Sequence, residues 1–278
     1  MRVVALLATF NEERFLDACV RNLASQGVDV YVIDNESNDR TLEIARGHLG
    51  GAVFGIETFP RDGTYRWRAI LERKEQLADE LEADWFMHLD CDEMRLPPRP
   101  DTTLAEAFVE LDSQGYNAVN FNEFTFIPTQ EAPDHDHARF QETMRHYYPY
   151  KTNIHHGLKA WRKPDGRVRG VPLLGRKRNT ARFAWSGGHR VRFRGLRPYP
   201  RPFRMRHYLF LSVPHAIEKY VQRSYDEGEV RSGWHQWRAR VTVDALRLPS
   251  NAELRPYTTD ADLDPSNPRE HHYTASWV

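Results

Sequence analysis

The sequence predicts an α/β protein with a mostly parallel central sheet flanked by helices and a C-terminal extension of different character. Short apolar runs of strand length alternate with helical patterns from residue 3 to residue 89, as parallel strands joined by crossover helices require. The apolar runs end in polar clusters: Thr9 to Glu12, Asp34 to Ser37, Arg61 and Asp62, and Asp90 to Glu93. Ligands of open α/β sheets bind beyond the carboxyl ends of the strands, so these clusters mark one candidate rim.

Residues 3–8 read as a first strand buried on both faces, and Asn11 follows as a helix N-cap with Glu12 and Glu13 in the first turn. Phe15, Leu16, Cys19, Val20 and Leu23 recur at helical spacing until Gly27 ends the element. Residues 30–33 form a second strand, 41–48 a helix and 52–59 a third strand. A longer helical pattern over 65–81 carries Trp67, Ile70, Leu71, Leu77 and Leu81 on its apolar face and leads into a fourth strand, 85–89. Pro97, Pro98 and Pro100 break the chain, an amphipathic helix spans 102–111, and the changeover to a second half is placed near Gln114. The chain is thus expected as one continuous domain with halves 1–114 and 115–278.

With 278 residues, 40% of them hydrophobic, the chain has enough apolar material for a real core. A mean hydropathy of -0.71 without a long apolar run predicts no membrane span, and residues 3–8 lack the cleavage region of a signal peptide, so a cytoplasmic location is expected. Cys19 and Cys91 are too few for a disulfide framework or a cysteine-based zinc site. Net charge is zero but unevenly spread. About fifteen carboxylates between residues 79 and 136 face only Arg95 and Arg99, whereas about sixteen Lys and Arg between 159 and 206 face only Asp165. If the two regions meet, an acidic pocket beside a cationic surface suits an anionic or phosphorylated ligand.

Asp90 and Asp92, two residues apart at a strand end, point to the same side and make a ready pair of oxygen ligands for Mg²⁺ or Mn²⁺. No G-x-G-x-x-G follows the first strand and no G-x-x-x-x-G-K-[ST] occurs, so a diphosphate would have to be neutralised by such an ion instead of a glycine loop. Arg66 and Arg68, near the start of the third helix, are better placed for phosphate or sugar contact than Lys74.

Residues 117–127 read as an aromatic-rich strand in which Glu123 stands among Phe121, Phe124 and Phe126. An apolar setting raises a carboxyl pKa and suits general acid/base work. His135 and His137 lie in a polar loop without the partners of a zinc site, and His155 and His156 share that reading. The arginine-rich stretch could serve a phosphorylated acceptor or a polyanionic glycan; nucleic acid is the lesser reading because no binding motif accompanies the charge. A helix is expected over 213–227, closed by Gly228. Residues 233–237, with Trp234 and Trp237, could form an aromatic sugar platform or pack the tail, and residues from Pro249 onward read as loosely ordered.

Three stretches carry a family resemblance: Ala-Thr-Phe-Asn-Glu-Glu at 8–13, Val-Ile-Asp-Asn-Glu-Ser-Asn-Asp-Arg-Thr at 32–41 and Trp-Phe-Met-His-Leu-Asp-Cys-Asp-Glu at 85–93. Over roughly residues 1–95 the chain resembles family 2 glycosyltransferases of the GT-A fold, which is a Rossmann-like sheet. The resemblance implies transfer of a sugar from a nucleoside diphosphate donor to an acceptor hydroxyl, with inversion by direct displacement at the anomeric carbon. It implies that Thr9, Asn11, Glu12 and Asp34, with Asn35 beside them, line the nucleotide-sugar pocket. Asp90 and Asp92 would be the Asp-x-Asp motif binding Mn²⁺ or Mg²⁺, Asp92 the more direct ligand. His207 resembles the histidine that often completes the metal shell, with His189 as competitor. The base would be Glu123, then Asp226 or Glu227. Asn35-Glu36-Ser37 in place of Asp-Gly-Ser, and Glu93-Met94 after the motif, depart from the common pattern. The other readings are a nucleotidyltransferase of related fold, which needs a glycine- and lysine-rich loop absent here, and a polyanion- or glycan-binding module.

Overall fold

A computed structural model of the chain describes residues 1–151, 158–164, 179–236 and 238–277. The expected His155, His156 and Trp237, and part of the arginine-rich stretch, lie outside them.

The elements run β1 (Val3–Thr9), α1 (Leu16–Ser25), β2 (Asp29–Asp34), α2 (Thr41–Gly47), β3 (Val53–Thr58), α3 (Trp67–Glu80), β4 (Trp85–Leu89), β5 (Glu93–Leu96), α4 (Leu104–Ser113), β6 (Ala118–Val119) and β7 (Phe121–Phe126). There follow α5 (Phe140–Thr143), β8 (His146–Tyr150), β9 (Ala160–Arg162), β10 (Phe203–Tyr208), α6 (Val213–Ala216), α7 (Glu227–Arg231) and β11 (Arg255–Pro256), with short 3₁₀ turns between. The first sheet has the order β3-β2-β1-β4-β9-β6, and its first four strands are parallel. The α/β class and the mostly parallel sheet are therefore as expected.

A second sheet, β11-β8-β7-β10-β5, begins immediately after the Asp-x-Asp turn. β4 ends at Leu89 in the first sheet, Asp90 to Asp92 form the turn, and Glu93 opens β5 in the second. The turn is closed by the Glu93 N–H donating to the Asp90 carbonyl at 3.1 Å. The register β10 to β5 sets His207 opposite Glu93, and β10 to β7 sets Met205 opposite Glu123. Two sheets thus converge on one three-residue turn.

Packing fixes that turn from behind. Trp85 of β4 stacks on Phe108 of α4 at 4.7 Å and 4°, and both are fully buried. Aromatic side chains of this size bury ~150–250 Å² each and dominate a core. On the other face α3 covers β4 through Trp67, Ile70 and Leu71, and its Lys74 ammonium lies buried 2.9 Å from His88 Nδ1. Gly188, with φ +84°, closes this side; a Cβ there would lie 2.5 Å from His88 Nε2.

Four expectations need correction. Asn11 is not a helix cap: its φ is +55°, and α1 starts only at Leu16. Its side chain instead exchanges hydrogen bonds with Asn38, 2.8 Å to Asn38 Oδ1 and 2.9 Å from the Asn38 N–H. The strand expected over 117–127 is two strands in different sheets, broken at Asn120, whose carbonyl accepts from the Phe203 N–H. The helix expected over 213–227 is α-helical only over Val213–Ala216, then a π-helical segment over Ile217–Val221, and Gly228 lies inside α7. The tail is packed: Tyr257, Leu263 and Trp277 are buried, and capping boxes form at Ser250/Glu253 and Thr259/Asp262.

The basic and acidic regions do meet, but as internal pairs. Lys159 binds Glu93 at 2.5 Å, Arg162 binds Asp112 at 2.6 Å, and Arg182 reaches Asp79 at 3.8 Å. These members of the cationic stretch therefore neutralise the fold's own acids. No helix among the described residues is long and apolar enough to cross a membrane.

Candidate active site

The ends of β1 and β4, the end of β10 and the π-helical segment enclose a hollow of about 90 Å³. Thr9, Glu12, Asn35, Asp90, Asp92 and His207 line it, so residues from both sheets and from sequence positions far apart are drawn together. A larger hollow of about 480 Å³ under α4, with Arg99, Leu111, Phe124 and Phe203 in its wall, contains none of the predicted site residues.

Asp92 is the centre of the site. Its Oδ2 accepts from Lys219 Nζ at 2.5 Å and lies 3.4 Å from His207 Nε2, while Oδ1 is buried without a hydrogen-bond partner. Burial alone would raise the Asp92 pKa, but the Lys219 ammonium and His207 outweigh it and hold the carboxyl well below its usual range. Burial would also depress His207; Asp92 on one side and Glu123 on the other instead raise it well above 6.5. His207 Nδ1 lies 2.6 Å from Glu123 Oε1, which also accepts from the Thr125 hydroxyl at 2.9 Å.

Glu123 therefore differs from its sequence reading. Burial among phenylalanines does act to raise its pKa, but His207 and His272 overcome that and push it well below 4.5. The carboxylate stands behind His207 and is not part of the wall of the hollow. The histidine that reverses the shift comes from the neighbouring strand and His272 from the tail, which a reading of β7 alone does not reveal.

The first two strand ends form a connected polar frame. Thr9 Oγ1 donates to Asp34 Oδ1 at 3.1 Å, and the Ser37 N–H donates to Asp34 Oδ2 at 3.1 Å. Asp34 is buried and engaged, so Asn35, just past the end of β2, is the residue that reaches the hollow. Asn11 accompanies the frame through its N–H, which donates to Ser37 Oγ at 3.0 Å. The Glu12 N–H donates to Thr41 Oγ1 at 2.7 Å, leaving the Glu12 carboxyl at the hollow, where burial first and Asp92 next push its pKa up to about 7 against the pull of Lys219.

Arg66 and Arg68 are not drawn in. Arg66 pairs with Asp62 and donates to the Pro60 carbonyl at 3.2 Å; Arg68 pairs with Glu72 at 3.5 Å on an exposed face. The cations at the hollow are Lys219, Arg223 and Arg238, none of them singled out from sequence. Lys219 and Arg223 are four residues apart, a spacing that places two cations on one helical face and was the available signal. Asp226 caps α7 by accepting from the Glu229 N–H at 2.9 Å, and Glu227 is exposed. His189 lines a neighbouring hollow, and His135 is tied to Thr143 at 2.9 Å.

Among the described residues no three His, Cys, Asp or Glu side chains are gathered as a metal cluster. Two carboxylates facing one hollow, one with an orphaned buried oxygen, nonetheless fit a hard cation that takes its remaining ligands from phosphate and water.

Residues 5–97 match the model of Glycosyl transferase family 2. That segment is a family 2 glycosyl transferase domain. It runs from within β1 to the end of β5 and hence includes the Asp-x-Asp turn. An uncharacterized protein of Mycobacterium tuberculosis is 34% identical over 97 residues, 33% of this chain and 23% of that protein, and one of Mycobacterium bovis matches equally. The chain thus spans about a quarter of the length of these curated relatives. Among solved structures, S. aureus TarS 1-349 in complex with UDP matches 76% of this chain and 61% of its own at 13% identity and a TM-score of 0.40. Glucosyl-3-phosphoglycerate synthase from Mycobacterium tuberculosis, in complex with Mn²⁺, UDP and glucosyl-3-phosphoglycerate, matches 45% and 44% at 17% identity and a TM-score of 0.29.

Proposed function

We propose that the chain is a metal-dependent glycosyltransferase that moves a sugar from a nucleoside diphosphate to an acceptor hydroxyl with inversion. The observation that carries this reading is the hollow at the ends of β1 and β4, where Asp90 and Asp92 face the pocket inside the family 2 domain and Asp92 Oδ1 has no partner. Asp90 and Asp92, with His207 alongside, would hold Mn²⁺ or Mg²⁺, which when bound supplies Lewis-acid stabilisation of a departing diphosphate. Thr9, Glu12 and Asn35 support the nucleoside side, and Arg223 and Arg238 add positive charge where phosphate oxygens would lie. In the inverting step the acceptor oxygen forms its bond to the anomeric carbon as the bond to the diphosphate breaks, and the acceptor proton leaves to a base.

Glu123 fits a positioning role better than that of base, since its charge is committed to His207. Glu123→Gln is expected to lower the His207 pKa and reduce turnover about tenfold while the nucleoside diphosphate binds as before; a pH profile and binding isotherms check this. Complete loss of transfer with unchanged binding would return Glu123 to the role of base.

The function itself is tested with a panel of nucleotide sugars, each assayed for Mn²⁺-dependent hydrolysis and for thermal stabilisation. One nucleoside diphosphate sugar should stabilise the protein only with metal, by about 2.7 kcal/mol at a hundred times its Kd. A panel without any response overturns the reading. Salt-sensitive glycan binding that persists in Asp92→Ala would favour a binding module instead.

A further inference from the structure

We propose that Lys219 is a built-in cation that holds Asp92 in the absence of ligand and passes from Asp92 to the donor's diphosphate as the divalent ion enters, so that metal and nucleotide bind interdependently. The inference rests on the reading of the hollow as a metal and nucleotide-sugar site.

The geometry of Lys219 is that of a stand-in ion. Its Nζ is 2.5 Å from Asp92 Oδ2 and 2.9 Å from the Leu209 carbonyl, and its side chain is only 12% exposed. Nζ also lies 5.7 Å from the Phe15 ring and 5.9 Å from the Tyr220 ring, so the ammonium is enclosed by aromatic faces on its way into the hollow. The residue belongs to the π-helical segment Ile217–Val221, a local widening that often accompanies functional sites.

Electrostatics makes the arrangement conditional. A divalent ion and an ammonium held side by side in a partly buried site repel strongly, because the effective dielectric there is far below that of water. Both cannot remain at Asp92 unless another anion arrives. A nucleoside diphosphate brings that anion, and Lys219, on a flexible four-carbon stem, can exchange one oxygen acceptor for another without leaving the hollow. Arg223 and Arg238 line the same space and mark the side from which phosphate would be received. Because coupling between two ligands is reciprocal, the nucleotide must strengthen metal binding by the factor by which metal strengthens nucleotide binding.

The test measures free Mn²⁺ by electron paramagnetic resonance during titration of the full chain, with and without UDP. In the wild-type protein Mn²⁺ alone should bind weakly and UDP should tighten it about tenfold or more. Lys219→Met should bind Mn²⁺ without UDP about tenfold more tightly than wild type, with a smaller UDP effect, whereas Lys219→Arg should keep the wild-type coupling. Equal or weaker Mn²⁺ binding by folded Lys219→Met overturns the role of Lys219 and leaves the metal site standing. Absence of Mn²⁺ binding in every protein, with and without UDP, overturns both. Should Lys219→Met fail to fold, ¹³C-lysine spectra of the wild type decide the matter. The Lys219 signal, identified by its loss in Lys219→Arg, should move when Mg²⁺ and UDP are added together, and a stationary signal overturns the proposal.

Discussion

Replacing Asp92 with asparagine should reduce sugar transfer by a factor of about 10³ or more, as expected when a Lewis acid worth several kcal/mol is removed from a transition state. The same substitution leaves the Lys219 ammonium and the His207 ring facing a neutral amide in a buried site. Breaking a buried ion pair from one side costs about 3–5 kcal/mol, so the variant should also melt lower. The two effects can be separated. Asp92→Asn combined with Lys219→Met removes one stranded cation and should recover part of the melting temperature without recovering transfer. Initial rates at saturating Mn²⁺ and thermal melts of the wild type and the two variants check both parts, and near-normal turnover by Asp92→Asn would remove the carboxylate from the mechanism.

The half of the site that this experiment probes was legible because local rules set it. Apolar runs bounded by polar residues locate β1, β2 and β4, and the period of two along a strand end puts Asp90 and Asp92 on one side. Where one residue type serves two local motifs, the sequence misleads. Asn11 before two glutamates has the chemistry of a helix cap, yet the same amide tolerates a left-handed backbone, and the structure uses it to tie two loops together. The tail misleads through composition: its Pro, Asp and Asn residues are those of disorder, but here they build caps and turns between the buried Tyr257, Leu263 and Trp277.

What was not legible depends on contacts between distant segments. The charge state of Glu123 is decided by His207 and His272, which outweigh the phenylalanines beside it in sequence. Lys219 reads as an ordinary surface lysine on an amphipathic pattern, and only the π-helical segment and the closure of β10 against β5 and β7 carry it to Asp92. The departure at Glu93, an oddity within the motif, acquires a reason in the same way.

Glu93→Gln should be the most destabilising single substitution behind the site. The Glu93 carboxylate is 2% exposed and joins Lys159 at 2.5 Å through one oxygen to Arg95 at 2.6 Å through the other. The second oxygen also accepts from the Asp90 N–H at 3.2 Å, so this carboxylate holds the turn that presents the motif. Arg95 has little to fall back on: its Nε and one terminal nitrogen are already without partners, and its guanidinium otherwise contacts the Phe121 ring at 4.2 Å and the His88 carbonyl at 3.3 Å. Neutralising Glu93 strands two buried cations and should cost about 3–5 kcal/mol at pH 7, roughly 10 °C in melting temperature. The pH dependence has a definite sign. Burial acts to raise the Glu93 pKa, but Arg95 and Lys159 outweigh it and leave it below 4.5. The stabilisation is therefore present above the unfolded value and is lost as pH falls through the folded one, so the gap between wild type and Glu93→Gln should be full at pH 7 and close progressively in acid. Replacing Glu93, Arg95 and Lys159 together with methionine should restore much of the melting temperature, since no charge is then stranded, but should still weaken nucleotide binding because the Asp90 turn has lost its anchor. Coincident melts of wild type and Glu93→Gln at pH 7 would show that the turn is held by its packing instead.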